Sequence, residues 1–120
     1  IADVLANAET VGSVKLVTYV ADGMEIDAAR SLSDRIKAEN DDTVAVIAVK
    51  SGDKLNFIAV AGKNAVAHGA HAGKLVGAVA AVTGGKGGGR PDNAMAGGRD
   101  LSRVNEALYS AKSVLEGMIK

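Results

Sequence analysis

A fifteen-residue stretch, Gly84–Gly98 (GGKGGGRPDNAMAGG), constrains this chain more than any other part of it. Seven of its residues are glycine. Glycine loses more backbone freedom on folding than any other residue. A dense run of it needs a reason: positive φ, or close approach of the backbone to something else. Arg90-Pro91-Asp92 stiffens the middle, because proline fixes its own φ and restricts its predecessor. Asn93–Ala96 has the composition to add a short strand. The stretch therefore reads as an ordered loop rather than a flexible connector.

Its chemistry points to anions. Lys86 and Arg90 lie inside it, and Arg99 and Arg103 follow it. Glycine-rich backbone amides form anion-binding nests, and a neighbouring arginine clamps phosphate through two parallel N–H groups. A helix starting near Leu101 adds a partial positive charge at its N-terminus. Two nucleotide-binding loops fail on spacing. A Walker loop needs Lys followed by Ser or Thr, but Lys86 is followed by Gly87. The dinucleotide fingerprint needs a preceding strand; here a helical pattern precedes, and Arg90 breaks the glycine spacing.

The rest of the chain, 120 residues in all, is one α/β domain by length and pattern. Residues 1–11 read as a short helical lead-in, the end of a linker helix. Residues 14–20 (VKLVTYV), 43–50 (TVAVIAVK) and 54–61 (KLNFIAVA) are β-branched and apolar, as buried strands are. Ser51-Gly52-Asp53 makes the last two a hairpin. Asp22 and Glu25 have capping-box spacing before a helix at about 24–39, whose buried face is Ile26, Ala29, Leu32 and Ile36. The first strand, this helix and the second strand form a right-handed βαβ unit. A helix over 70–83 buries Leu75, Val76, Val79 and Val82. Asp100 caps a last helix, with Leu101, Val104, Leu108, Ala111, Leu115 and Met118 on one face. The expected fold is a small mixed sheet packed with helices, in βαββαα order, with the glycine loop between the last two helices.

Composition excludes several classes. Without cysteine there is no disulfide, no thiolate metal ligand and no thiol nucleophile. No apolar run is long enough for a membrane span and no signal segment is visible, so the expectation is a cytoplasmic protein with no membrane partner. The start at Ile1 rather than Met suggests a piece of a longer chain. Aromatic residues are only 2%, which argues against a platform for base stacking. The net charge of zero at first speaks against nucleic acid. It is a cancellation, however: residues 1–49 carry −5 and residues 50–120 carry +5. The basic half holds the glycine stretch.

No catalytic set is visible. His68 and His71 have helical i, i+3 spacing but no third ligand, and read as capping or core residues. Asp41-Asp42 reads as turn chemistry. Hydrolase, zinc-protease and calcium-loop motifs are all lacking.

The segment GGKGGGRPDNAMAGG resembles the signature of the DHH-associated domain family, in the form found at the C-terminus of bacterial alanyl-tRNA synthetases. His71-Ala72-Gly73-Lys74-Leu75-Val76 and the closing helix after Gly97-Gly98-Arg99-Asp100 resemble it too. The likeness is close over about 66–118 and weaker before. It implies a non-catalytic domain that binds the elbow of L-shaped tRNA and helps the parent enzyme aminoacylate and edit. Other domains of that parent, a class II ligase, would be its partners, and homo-oligomerisation is left open. ATP, magnesium and zinc would belong to the missing domains, with no cofactor in this one.

Carried onto this chain, the glycine motif maps to Gly84, Gly85, Gly87, Gly88 and Gly89, and the basic position to Arg90. The candidate RNA contacts are Lys86, Gly87, Gly88, Gly89, Arg90 and Arg99, with Lys74 and Lys63 as weaker ones. Arg90 is open between a buried structural pair and a phosphate contact. Asp92 reads as structural, capping loop amides or holding Arg90. The alternative is the nucleic-acid-binding half of a DHH-type phosphoesterase or nuclease, gripping single strands. A third reading is a pure interaction module that pairs its Ala/Gly helices with another subunit.

Overall fold

The computed structural model describes residues 8–119. Six strands form one sheet among them: β1 (Glu9–Val11), β2 (Val14–Asp22), β3 (Thr43–Ser51), β4 (Lys54–Ala61), β5 (Lys86–Gly89) and β6 (Asn93–Gly97), in spatial order β1-β2-β3-β4-β6-β5. The helices are α1 (Ile26–Glu39), α2 (Lys63–Ala67), α3 (Ala72–Val82) and α4 (Val104–Glu116), the last preceded by a 3-10 turn, Leu101–Arg103.

The β-branched runs behave as their pattern requires. β2 and β3 pair in parallel, with α1 as the crossover, and every other neighbouring pair is antiparallel. Both faces of β3 are buried because helices cover both sides, which is why TVAVIAV lacks the alternation of a half-exposed strand. Leu16, Val44, Val46, Phe57 and Ala59 join Leu75, Val76, Val79, Leu108 and Leu115 in the main core. On the other side, Val17, Ala45 and Val60 pack on Ile36, while Ile47, Val49 and Ile58 pack near Ala29. The expected helix faces are the observed ones. Ile26, Leu32, Val82, Leu101 and Met118 sit half-buried at their margins.

Four expectations need correction. Glu9–Val11 is a strand paired to Val14–Leu16, not a helical lead-in; residues 1–7 of that reading lie outside the described residues. The Asp22/Glu25 capping box does not form. Asp22 ends β2 opposite Lys50, and Glu25 takes the N-cap position with no side-chain hydrogen bond. A short helix, α2, precedes α3. Finally, the glycine stretch is not a loop. Lys86–Gly89 and Asn93–Gly97 form a hairpin that extends the sheet, so βαββαα becomes a longer order with two more strands at the far edge. Only the Asn93–Ala96 half of that hairpin was legible.

Candidate nucleic-acid interface

The glycines of the hairpin are there because backbones meet. A Cβ on Gly73 of α3 would overlap the carbonyl oxygen of Gly89, and one on Gly77 would stand 3.0 Å from the Gly87 oxygen. Within the hairpin, a Cβ on Gly85 would overlap the Gly97 oxygen and one on Gly87 would overlap Ala96. Helix α3 thus lies on β5 with no side chain between them. Of the glycines in the stretch only Gly84, at φ 81°, has the left-handed backbone; it ends α3. The amides of β5 belong to an extended strand, so the expected anion nest is not formed.

The helix start expected to bind anions, and the start of α3 beside the hairpin, are also filled from within. The first amides of α3 are taken: Ala72 N–H donates to the Pro91 carbonyl at 2.7 Å, Gly73 N–H to Arg90 at 3.1 Å, and Lys74 N–H to His71 Nδ1 at 3.1 Å. His71 is the helix cap, and His68 Nδ1 bonds the Asn64 carbonyl at 2.8 Å. No group of three or more potential metal ligands occurs among the described residues. Before α4, Asp100 accepts from Ser102 N–H at 2.9 Å and Ser102 Oγ at 2.6 Å. Those bonds, the hydroxyl first, hold its carboxyl below the ordinary aspartate range. A carboxylate therefore already occupies that helix start.

The candidate anion-binding groups that remain are side chains, and the hairpin sorts them into two sets. Lys86 begins β5 and Arg90 follows its end, so four residue steps of extended strand, about 13 Å, separate them. At the Pro91 end lie Arg90, Lys74 and Lys63: Lys63 and Lys74 line two hollows that share Val66 and Pro91. At the other end, Arg99 passes Gly84, its Cδ 4.0 Å from where a Cβ would stand there, two residues before Lys86. Its backbone is anchored by buried Thr83, whose Oγ1 donates to Ala80 at 2.8 Å and accepts from Arg99 N–H at 3.3 Å.

Lys63, Lys74, Lys86, Arg90 and Arg99 are all exposed, and none has a salt bridge among the described residues. Arg90 is therefore not in a buried pair. Arg103 is engaged by Glu106 at 2.6 Å. Asp92 has a partner within the fold, but that partner is not Arg90. Asp92 accepts from Lys37 of α1 at 3.0 Å; this bond is the main cause that lowers its pKa, opposed by desolvation and aided by the charge of Lys37, a backbone hydrogen bond and the charge of Arg90. Sequence spacing gave no sign of that contact, because Lys37 is 55 residues away.

The DHHA1 domain family matches residues 13–117. An alanine–tRNA ligase of Alkaliphilus oremlandii is 42% identical over 113 residues, 94% of this chain and 13% of the relative. One from Shouchella clausii is 47% identical over 98 residues, 82% of this chain and 11% of the relative. The chain thus spans about an eighth of the relatives it matches. Among solved structures, the C-Ala domain of Aquifex aeolicus alanyl-tRNA synthetase superposes with a TM-score of 0.81 at 30% identity, covering 92% of this chain and 99% of that one. A pGpG-specific phosphodiesterase from Vibrio cholerae shares the fold alone, with a TM-score of 0.52 at 9% identity over 96% of this chain and 37% of that one. The chain belongs to the DHHA1 domain family, and within it to the C-terminal domains of alanyl-tRNA synthetases.

Proposed function

We propose that this domain binds folded tRNA on behalf of an alanyl-tRNA synthetase, at the tRNA elbow, and so supports both aminoacylation and editing by the parent enzyme in the cytoplasm. The observation that carries the reading is the set of five exposed cations, without a salt bridge among the described residues, around a β5 edge whose only side chain is that of Lys86. Such a surface suits recognition by shape, phosphate and 2′-hydroxyl, the way double-stranded RNA is generally read. A carboxylate at the start of α4 and filled amides at the start of α3 leave the work to Lys and Arg side chains. The near absence of aromatic residues argues against single-strand binding by stacking. Ligation with its ATP and magnesium, and editing with its zinc, are assigned to domains outside this chain.

Binding of the 120-residue chain to tRNA, single-stranded RNA and single-stranded DNA over a salt series tests the reading. The expected result is preference for tRNA with a log–log slope of about −3, from three to four phosphate contacts. Clear preference for single strands would overturn it in favour of a phosphoesterase-type domain. A salt-independent Kd would remove its electrostatic basis.

A further inference from the structure

We infer that the end of the sheet where β4, β6 and β5 lie side by side carries a phosphodiester seat, formed by Lys54, Asn56, Lys86 and Arg99 over the bare backbone of Gly97. The inference rests on the tRNA reading only for the identity of the polyanion.

Register places the parts. Lys86 pairs with Gly97, and Gly97 pairs with Asn56, so these three form one row across three strands. Cross-strand partners share a face of the sheet, so Lys86 and Asn56 flank Gly97 on the same side. Lys54, Leu55, Asn56, Gly97, Gly98 and Arg99 line one shallow depression together with Asp53, and Lys86 stands beside it through its pairing with Gly97. Three cations thus surround the row against one carboxylate. None of the three has a salt bridge among the described residues.

The fold does not call for glycine at position 97. Its φ is not positive, and a Cβ there would meet nothing within 4 Å. Gly85, Gly87 and Gly89 differ, since each would strike backbone or a neighbouring side chain. Glycine inside a strand costs roughly 0.5–1 kcal/mol against alanine. A bare, open, unforced position between a lysine and an amide lets a sugar-phosphate chain lie directly on the sheet. The Asn56 amide supplies neutral donors for a phosphate oxygen or a 2′-hydroxyl. Lys54 and Asn56 enter this site only through the β3–β4 hairpin and the β4–β6 pairing, 30 or more residues away in the chain from Lys86 and Arg99.

The test compares the wild-type chain with Lys54→Ala, Asn56→Ala and Gly97→Val, and with Lys15→Ala as a control. Each is measured for tRNA binding over a salt series and for thermal melting. In parallel, inorganic pyrophosphate is titrated while the amide NMR signals of Asn56, Gly97 and Arg99 are followed. Lys54→Ala is expected to weaken tRNA binding roughly three- to fivefold and to reduce the salt slope by about one. Gly97→Val should weaken binding with unchanged melting, and Lys15→Ala should do neither. If wild type binds tRNA and the three variants match it, the seat is wrong and the tRNA reading stands. If wild type ignores tRNA but pyrophosphate shifts those three amides saturably, the seat stands and the tRNA reading falls. If neither ligand binds, both fall.

Discussion

Gly73 of α3 and Gly89 of β5 touch backbone to backbone, so closely that a methyl group on the first would overlap the carbonyl of the second. With Gly77 on Gly87 one helical turn further along, this contact seats the helix on the glycine strand. It also leaves the stretch's basic side chains on the rim of the hairpin rather than in a cradle.

Gly73→Ala should destabilise the domain by about 1–3 kcal/mol in urea unfolding, the usual cost of overpacking. The sign is diagnostic, because in an unobstructed helix the same change would stabilise by up to about 1 kcal/mol. Gly97→Ala, with open space around the new methyl, should leave stability the same or slightly higher. A Gly73→Ala variant more stable than wild type would refute the contact.

Thr83→Val should cost about 1–2 kcal/mol by removing one buried donor and acceptor while keeping the volume. Its partners are the Ala80 carbonyl and Arg99 N–H. Since the second bond holds the Arg99 segment, tRNA affinity should fall as well. Thr83→Ser, which keeps both bonds, should retain affinity. Equal affinity in Thr83→Val and wild type would show that Arg99 needs no anchor.

The Lys37–Asp92 bond predicts an acid limb of stability. Asp92 has a folded pKa below its unfolded value, so its contribution is present above the unfolded value of about 3.9 and is lost as pH falls through the folded pKa. The Asp92 side chain is 48% exposed, so the pair is worth no more than about 1 kcal/mol. Asp92→Asn should therefore be slightly less stable than wild type at pH 7 and equal to it near pH 2. A constant gap between the two across that range would contradict the pairing.

Lys86→Ala and Lys86→Ala/Arg90→Ala address the spacing of the basic groups. The two residues stand about 13 Å apart along β5. Sites that far apart with no shared partner add within about 0.5 kcal/mol. Their effects on tRNA affinity should therefore multiply, with unchanged circular dichroism melts. A double variant no weaker than the worse single one would mean that both residues serve one phosphate.

The long apolar runs were readable because nothing competes with them. VKLVTYV, TVAVIAVK and KLNFIAVA are β-branched and bounded by turn residues, and the helix faces repeat at helical spacing. KGGG was not readable as a strand: glycine has no strand preference, and what holds it extended is pairing with NAMAG and the helix above it. Asp100 capped as its spacing suggests, since an N-cap is local. Asp22 was expected to cap with Glu25 as well, but it was drawn into the parallel pairing with β3.

The sequence by itself determined the sheet-and-helix pattern, the charge split and the family motif, because each depends on residues near one another in the chain. Tertiary structure alone decided three things: that the glycine stretch is a sheet edge, that Asp92 belongs to Lys37, and that Lys54 and Asn56 stand beside Lys86 and Arg99. Each of these depends on strand register and close backbone approach between distant segments, a geometry that local propensity does not encode.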